Sequence, residues 1–462
     1  MLRNRLSMPL ACIALSAWLA GCNDANNPQF QEYVPPSSVT IVPSASPEGA
    51  LGEMSTLSFR VLMTEPQPQP VTLSYRVNAL SATENQDYSA TEGAVSIEPG
   101  ALEARIDVAL IGDSDEEPAE TFELLLSSSA NAELTASTVI GTIANDDSVC
   151  DSPYVKALPN RWRVIDADPL NYAHRGGVID FPENTLYAYA EVAKVGADVL
   201  EMDVYQTADN ELVILHDLDV DRTTDGTGNV VDLTLDELRA LDAAYWFVPG
   251  VGTPRDRPAE DYVFRGIATG NKPPPPGYSA EDFRIPTLEE ALRRFAAYLI
   301  NVELKPDLDG SGNYEQQIAD LLQRYGRFND VIAASFVDEA ANNFKAVAPC
   351  VHTSVPLDQG TGIVLGALGP ATMPDVPEHV AFQVPPDTSQ ISQIPDDFFL
   401  EVVTPDFVAD AHAVNLAVQV WTVNTCEEML RMIDLGVDAI MTDRPVLLEE
   451  ILNTEPTDRR CD

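Results

Sequence analysis

Residues 170–204 hold two short apolar runs with a longer apolar run between them. They read LNYA at 170–173, LYAYAEVAKV at 186–195 and VLEMDV at 199–204. The middle run has the length of a helix, and the outer runs have the length of buried strands. Strands that alternate with helices favour a parallel sheet covered by helices. This stretch therefore predicts a strand–helix–strand unit.

The same alternation continues to the C-terminus and predicts a (β/α)8 TIM barrel over residues 148–462. Six further strands are predicted at 299–304, 331–335, 351–355, 381–384, 417–422 and 439–442. A ninth run, 212–215, follows the second strand after only a turn. A parallel crossover needs a dozen or more residues, so this run is predicted to return antiparallel. Residues from about 217 to 286 are then an insertion in the barrel.

Polar side chains gather where the predicted strands end, which is where barrel enzymes carry their active sites. The set is His174, Arg175, Glu201, Asp203, His216, Glu303, Lys305 and Trp421. Glu201 and Asp203 lie two apart on one strand, so both carboxylates face the same side. Three carboxylates suit a hard divalent cation, Ca²⁺ or Mg²⁺. We expect the three to need this ion because no other cation is expected to balance them.

Arranged in this order on strand ends, the set resembles the glycerophosphodiester phosphodiesterase family over residues 171–451. The resemblance implies that His174 and His216 are the acid and the base, and that Glu201, Asp203 and Glu303 hold the metal. It also implies that Arg175, Lys305 and Trp421 contact the substrate. Trp421 stacks on the glycerol or only packs at the rim, and Asn184 contacts substrate or only caps the first helix.

The resemblance implies hydrolysis of glycerophosphodiesters to sn-glycerol 3-phosphate and an alcohol. The hydroxyl next to the phosphate would attack first, and water would then open the cyclic phosphate. Two alternatives stay open at this point. One is a phosphodiesterase that cleaves lysophospholipids on the same barrel, and the other is a non-catalytic calcium-binding surface protein.

Residues 39–147 show short alternating strands between turns, which predicts an immunoglobulin-like β-sandwich. The motifs PEG at 47–49, DY at 87–88, the acidic stretch 112–122 and NDD at 145–147 resemble a Calx-beta domain. The resemblance implies calcium ligands at Glu48, Asp87, Asp113, Glu117, Glu120, Asp146 and Asp147. An acidic, solvated end without a bound ion is the alternative.

The N-terminus has the layout of an export signal. Arg3 and Arg5 precede an apolar run, and small residues lead to Cys22. This pattern resembles a bacterial lipoprotein signal at 1–21, which implies cleavage before Cys22 and lipidation of that cysteine, followed by a tether at 22–38. An ordinary signal peptide is the alternative. The prediction is an exported lipoprotein, anchored to a membrane of the bacterial cell envelope and facing the periplasm or the cell surface.

Charge and cysteine content set further limits. The 462 residues carry a net charge of −46, which argues against a nucleic-acid partner because phosphate backbones need basic surfaces. Four cysteines remain after Cys22, an even number in an exported protein. Cys150 and Cys461 bracket the second domain, and domain termini are often close, so we expect these two to pair. The state of Cys350 and Cys426 stays open.

Overall fold

The structure is a computed structural model that describes residues 37–89, 91–128, 132–150, 160–305, 314–367, 373–390 and 399–461. The predicted signal peptide, Cys22 and nearly all of the tether lie outside these residues. None of the helices in the described ranges is long and apolar enough to cross a membrane.

The first domain is a β-sandwich of nine strands in two sheets. The strands are β1 (Ser37–Ile41), β2 (Ser44–Pro47), β3 (Met54–Met63), β4 (Val71–Ala79), β5 (Glu92–Ile97), β6 (Glu103–Ile111), β7 (Glu120–Ser128), β8 (Ala132–Leu134) and β9 (Thr138–Ala144). One sheet has the order β6-β3-β1-β8 and the other β2-β9-β7-β4-β5. Leu57, Phe59 and Val61 alternate along β3 and are fully buried between the sheets, which confirms the sandwich.

The second domain is a barrel of eight parallel strands. They are β10 (Leu170–Ala173), β11 (Val199–Gln206), β13 (Leu299–Leu304), β14 (Val331–Ala334), β15 (His352–Thr353), β16 (Ala381–Val384), β17 (Ala417–Val420) and β18 (Ala439–Thr442). The order is β15-β14-β13-β11-β10-β18-β17-β16, and a bridge from Ser354 to Ala381 joins the two ends. The short strand β12 (Leu212–Ile214) pairs antiparallel with β11, as the turn before it predicts.

Helices connect the barrel strands, and five of those described begin at a threonine cap. The helices are α1 (Leu186–Val195), α2 (Leu235–Arg239), α3 (Leu288–Arg294), α4 (Tyr314–Arg324), α5 (Asp338–Val347), α6 (Leu357–Ala367), α7 (Pro405–Ala413), α8 (Cys426–Leu435) and α9 (Pro445–Leu452). Thr185 caps α1, because its hydroxyl accepts the amide of Ala188 at 3.1 Å. Asn184 is therefore not the cap, and its side chain instead forms part of the site described below.

The sandwich packs directly on the barrel. Arg60 of β3 lies 3.5 Å from Asp282, which is fully buried just before α3 and also bonds Arg294. At a second point, a Cβ added to Gly326 would lie 2.9 Å from the carbonyl oxygen of Asn145. A larger residue at Gly326 would thus push the domains apart.

Two disulfides join the four cysteines that follow Cys22. The predicted pairing of Cys150 with Cys461 is wrong. Cys150 bonds Cys350, with Cα atoms 5.3 Å apart, and Cys426 bonds Cys461, with Cα atoms 5.7 Å apart. A disulfide needs Cα atoms within about 7 Å of each other. The segment after α9 brings Cys461 to the start of α8. Cys150 instead bonds Cys350, which lies in the turn between α5 and β15. The termini of the domain thus meet different partners.

Candidate active site

Three carboxylates meet at the carboxyl ends of two adjacent barrel strands. In the parallel register of β11 and β13, Asp203 lies opposite Glu303 and Glu201 lies opposite Asn301. One carboxylate oxygen from each of Glu201, Asp203 and Glu303 lies within 4.8 Å of the others. The structure thus brings the three predicted metal ligands together.

Among these three carboxylates, Glu201 has the fewest partners to balance its negative charge. Its side chain is buried, and burial raises its pKa well above the usual range, helped by the charges of Asp203 and Glu303. Oε2 accepts the backbone amide of Arg175 at 2.7 Å. Oε1 is buried and has no hydrogen-bond partner among the residues that the structure describes. An orphaned, buried carboxylate oxygen is costly unless a cation or donor meets it.

Two basic side chains lie against the other two carboxylates. Lys305 Nζ is 3.0 Å from Asp203 Oδ1 and 2.5 Å from Glu303 Oε1, and Arg175 Nε is 3.5 Å from Asp203 Oδ2. Burial alone would raise the pKa of Asp203, but Lys305 and Arg175 hold it well below its usual range. The expectation that no other cation balances the trio is therefore wrong for Asp203 and Glu303.

The donor set nevertheless fits a hard divalent cation. All three groups offer carboxylate oxygens, which Ca²⁺ and Mg²⁺ prefer. Glu201 Oε1 has no hydrogen-bond partner in the described part of the chain. An ion among the three would offset the repulsion that raises the pKa of Glu201.

His174 lies directly after β10 and is oriented by the last strand of the barrel. Its Nδ1 is 2.6 Å from Oδ1 of Asp443, and Oδ2 of Asp443 accepts the amide of Asn424 at 2.7 Å. Burial would raise the pKa of Asp443, but the hydrogen bond and charge of His174 lower it. An ionised Asp443 accepts from Nδ1 and leaves Nε2 for chemistry. From the sequence, Asp443 is expected only to support the end of the last strand, because 269 residues separate it from His174.

His216 follows β12 and is held in the same way. Its Nδ1 lies 2.7 Å from Oδ1 of Asp217, whose Oδ2 accepts Nε of Arg222 at 2.5 Å. Burial would raise the pKa of Asp217, but these two hydrogen bonds lower it well below its usual range. Each of the two histidines thus has a carboxylate at Nδ1, which leaves its Nε2 for a substrate.

Glu183 and Asn184, in the loop before α1, complete the polar surroundings of the site. Glu183 is buried and accepts two hydrogen bonds from Arg222, at 2.6 and 2.7 Å. Asn184 adopts a φ of 54°, and its amide donates to Asp203 Oδ2 at 3.0 Å while Tyr189 donates to its oxygen at 2.6 Å. Asparagine tolerates the left-handed region better than most residues, so it fits this turn before α1. Asn184 therefore orients a metal-ligand candidate.

Comparisons with known proteins identify the family of this chain. The sequence model of the glycerophosphoryl diester phosphodiesterase family matches residues 174–447. The chain belongs to this family. It is therefore an enzyme, a phosphodiesterase, and the non-catalytic surface protein is no longer an alternative. The model of the Calx-beta domain matches residues 50–147.

Individual relatives cover the barrel of this phosphodiesterase. A glycerophosphodiester phosphodiesterase of Caldanaerobacter subterraneus subsp. tengcongensis is 32% identical over 281 residues, which span 60% of this chain and 96% of that protein. Glycerophosphodiester phosphodiesterase 1 of Homo sapiens is 36% identical over 171 residues, 36% of this chain and 42% of that one. A solved glycerophosphodiester phosphodiesterase from Agrobacterium tumefaciens covers 61% of this chain and 100% of its own, at 24% identity and a TM-score of 0.45.

The rim of the phosphodiesterase barrel carries an aromatic pair. Trp421, after β17, meets Phe336, after β14, edge to face with ring centroids 5.2 Å apart. β15 and β16 lie between these strands, so the pair spans part of the barrel mouth. Phe336 remains 45% exposed, which leaves an apolar surface beside the site. Trp421 thus packs at the rim against Phe336.

Three histidines of the phosphodiesterase lie away from this mouth. His352 accepts from Trp162 Nε1 at 2.8 Å and is buried, and burial lowers its pKa to about 4. His379 bonds Thr353 at 2.9 Å, and His412 bonds Asp438 at 2.9 Å. Each has a local structural partner, so His174 and His216 are the pair at the strand ends.

The acidic end of the Calx-beta domain forms three overlapping groups of carboxylates. The groups are Glu48, Asp113 and Glu117; Glu48, Asp146 and Asp147; and Asp87, Glu117 and Glu120. Burial, followed by the neighbouring carboxylates, raises the pKa of Glu48 to about 7. Burial and Asp87 raise that of Glu120 to about 8. The structure therefore brings all seven predicted ligands into one acidic end.

Proposed function

We propose that this phosphodiesterase hydrolyses glycerophosphodiesters to sn-glycerol 3-phosphate and an alcohol by histidine acid–base catalysis beside a divalent metal. The observation that carries the proposal is the matched orientation of the two histidines. Each imidazole has a carboxylate at Nδ1, which leaves Nε2 for a proton transfer. General acid–base catalysis needs such positioned groups.

The proposed reaction has two steps that use the histidines in opposite roles. In the first, one imidazole takes the proton of the glycerol hydroxyl next to the phosphate, and that oxygen forms a bond to phosphorus. The bond from phosphorus to the alcohol oxygen breaks, and the other imidazole protonates the departing alcohol. In the second, water attacks the cyclic phosphate, the histidines exchange roles, and the ring oxygen leaves as the hydroxyl of sn-glycerol 3-phosphate.

Glu201, Asp203 and Glu303 would hold the metal, Ca²⁺ or Mg²⁺. When bound, the ion supplies positive charge for the non-bridging phosphate oxygens. Lys305 and Arg175 lie against the same carboxylates and would bind the phosphate as cations. Their present partners hold both side chains at the site before substrate arrives.

The deciding experiment is product analysis with the full chain on glycerophosphocholine and lysophosphatidylcholine, with and without added metal. We expect sn-glycerol 3-phosphate and choline from the first substrate only when metal is present. Release of phosphocholine would contradict the proposal, since the wrong ester bond would have been cut. Equal rates in chelator would contradict the metal role.

A second candidate substrate class is lysophospholipids, which the exposed Phe336 favours. An apolar surface next to a phosphate site fits an acyl chain. If this enzyme acts on lysophospholipids, Phe336→Ser should reduce the rate on lysophosphatidylcholine far more than that on glycerophosphocholine. Val139→Ala, a cavity in the distant sandwich core, serves as control and should leave the ratio of the two rates unchanged.

We also propose that the acidic end of the sandwich binds calcium. The raised pKa values of Glu48 and Glu120 support a site that a cation would relieve. Calorimetric titration of the full chain should show calcium binding that Asp146→Asn weakens. Heat for the barrel site alone, unchanged in this variant, would exclude the sandwich.

The proposed location is the bacterial cell envelope, through a lipid on Cys22. The motif before Cys22 supports it, and two disulfides fit an oxidising compartment. Cys22→Ser should release the protein from the membrane fraction or block its processing. A variant that is processed normally and stays with membranes would contradict the anchor.

A further inference from the structure

Arg222 joins two carboxylates that belong to different loops of the active site. Its Nε donates to Asp217 at 2.5 Å, and its two terminal nitrogens donate to Glu183 at 2.6 and 2.7 Å. Arg222 lies five residues after Asp217, and Glu183 lies in the loop after β10, immediately before α1. One guanidinium thus ties the His216 loop to the loop that follows His174.

The two ends of this link both reach groups proposed for catalysis. Asp217 uses its other oxygen to accept Nδ1 of His216 at 2.7 Å. Glu183 is buried, and its carboxylate also lies 3.5 Å from Nη1 of Arg175. Although burial alone would raise the pKa of Glu183, Arg222 and Arg175 lower it, so it is a carboxylate that requires both cations.

The other histidine has a different support. Oδ2 of Asp443 accepts from the neutral amide of Asn424 at 2.7 Å, and no ion pair to arginine or lysine within 4.0 Å is found for Asp443 among the described residues. The hold on His174 is therefore local to β17 and β18. By contrast, the orientation of His216 depends on Arg222, which also bonds Glu183 in a second loop.

We propose that Arg222 is a positioning residue that holds His216 in one orientation through Asp217 and couples it to Glu183. This inference rests on the proposed function. A planar guanidinium holds its donors in a fixed fork, so Nε reaches Asp217 while the two terminal nitrogens bind both oxygens of Glu183. The compact ammonium of lysine cannot reproduce this bidentate geometry. Without those donors, Asp217 can rotate away from Nδ1, Glu183 keeps only its 3.5 Å contact with Arg175, and Nε2 of His216 loses its orientation.

The test uses the full chain with Arg222→Lys and Arg222→Ala, assayed on glycerophosphocholine with metal. We expect kcat to fall about 10- to 100-fold in Arg222→Lys with KM changed less than about twofold, as for other residues that orient a catalytic group. Added guanidinium at non-denaturing concentration should restore part of kcat in Arg222→Ala. It should not restore Asp217→Asn, which lacks the carboxylate to receive it.

A readout independent of turnover follows the imidazole itself. In protein with ¹⁵N-labelled histidine, His216 should show a single Nδ1–H tautomer, and Arg222→Lys should show a mixture. Arg163→Lys is the matched control, because Arg163 pairs with buried Asp438 at 3.0 Å away from the site. It should keep both kcat and the His216 signal even if its melting temperature falls.

Each outcome decides the inference. A wild-type kcat and a single His216 tautomer in Arg222→Lys would overturn it, as would failure of guanidinium to raise the kcat of Arg222→Ala. If the wild-type protein hydrolyses no glycerophosphodiester, the proposed function falls. The tautomer measurement still tests Arg222 in that case.

Discussion

His174 Nδ1 lies 2.6 Å from Asp443 Oδ1, so that residues after the first and the last barrel strands form one hydrogen-bonded pair. β10 pairs in parallel with β18, with Ala173 opposite Thr442, and this register places the next residue of each strand side by side. The closure of the barrel therefore assembles the site. Without pairing of β10 and β18, His174 would have no orienting carboxylate.

Asp443→Asn tests this relationship. The amide can no longer stabilise the Nδ1–H tautomer, so we expect kcat to fall by about 10²–10⁴-fold, as when the carboxylate of a histidine dyad is replaced elsewhere. KM should change little, because Asp443 does not reach the substrate. Steady-state kinetics on glycerophosphocholine gives both values. A variant with wild-type kcat would show that Asp443 only supports the fold.

The substrate hydroxyl is tested with an analogue that lacks the middle hydroxyl of glycerol. It should bind through Arg175, Lys305 and the metal, and it should inhibit competitively without being cleaved, since no neighbouring oxygen can attack. His174→Ala and His216→Ala should each lower the rate on the normal substrate by about 10²–10⁴-fold. Rapid cleavage of the analogue would mean that water attacks directly.

Glu201→Gln tests the metal site. The amide removes one negative ligand and should abolish binding of Ca²⁺ and Mg²⁺ to the barrel together with activity, while far-ultraviolet circular dichroism stays unchanged. Calorimetric titration in protein that also carries Asp146→Asn separates this site from the sandwich. Glu289→Gln, at a side chain of α3 that is 41% exposed, is the control and should bind metal normally. Full activity of Glu201→Gln in chelator would exclude its metal role.

Arg60→Met tests the contact between the domains. Asp282 is fully buried and would lose one of its two arginines, which we expect to cost about 1–3 kcal/mol in the free energy of unfolding of the barrel. Arg105→Met removes a neighbouring arginine whose side chain is 65% exposed, and should change stability by less than about 0.5 kcal/mol. Equal effects in denaturant titrations would show that the sandwich does not support the barrel.

His352→Gln tests the pH dependence of stability. The pKa of His352 is lowered to about 4, so the unfolded chain binds a proton between its ordinary pKa and 4 that the folded chain does not. Its contribution to stability is present above about pH 6.5 and is lost as the pH falls towards 4. Glutamine keeps an acceptor for Trp162 and cannot titrate. Its melting temperature should fall less than that of the wild type across this window, and parallel curves would contradict the assignment.

Much of the site could be predicted because its residues sit at fixed places in local elements. The spacing of Glu201 and Asp203 puts both on one face of β11, and the order of strand ends brings Glu303 beside them. Their roles in metal binding and catalysis remain predictions until the experiments above are done. What was missed was a partner: Asp443 carries no local signal that it would meet His174.

The sequence by itself determined the order of strands and helices, the hairpin of β12, the two domain families and the set of polar residues at strand ends. These follow from patterns within short windows, where hydrophobic period, turn residues and motif spacing act locally. Only the tertiary structure decided the disulfide pairing, the arginines that balance buried Asp282 and Glu183, and the carboxylates behind the two histidines. Those relationships depend on which side chains the closed barrel brings into contact, and burial makes the charge balance of Asp282 and Glu183 energetically necessary.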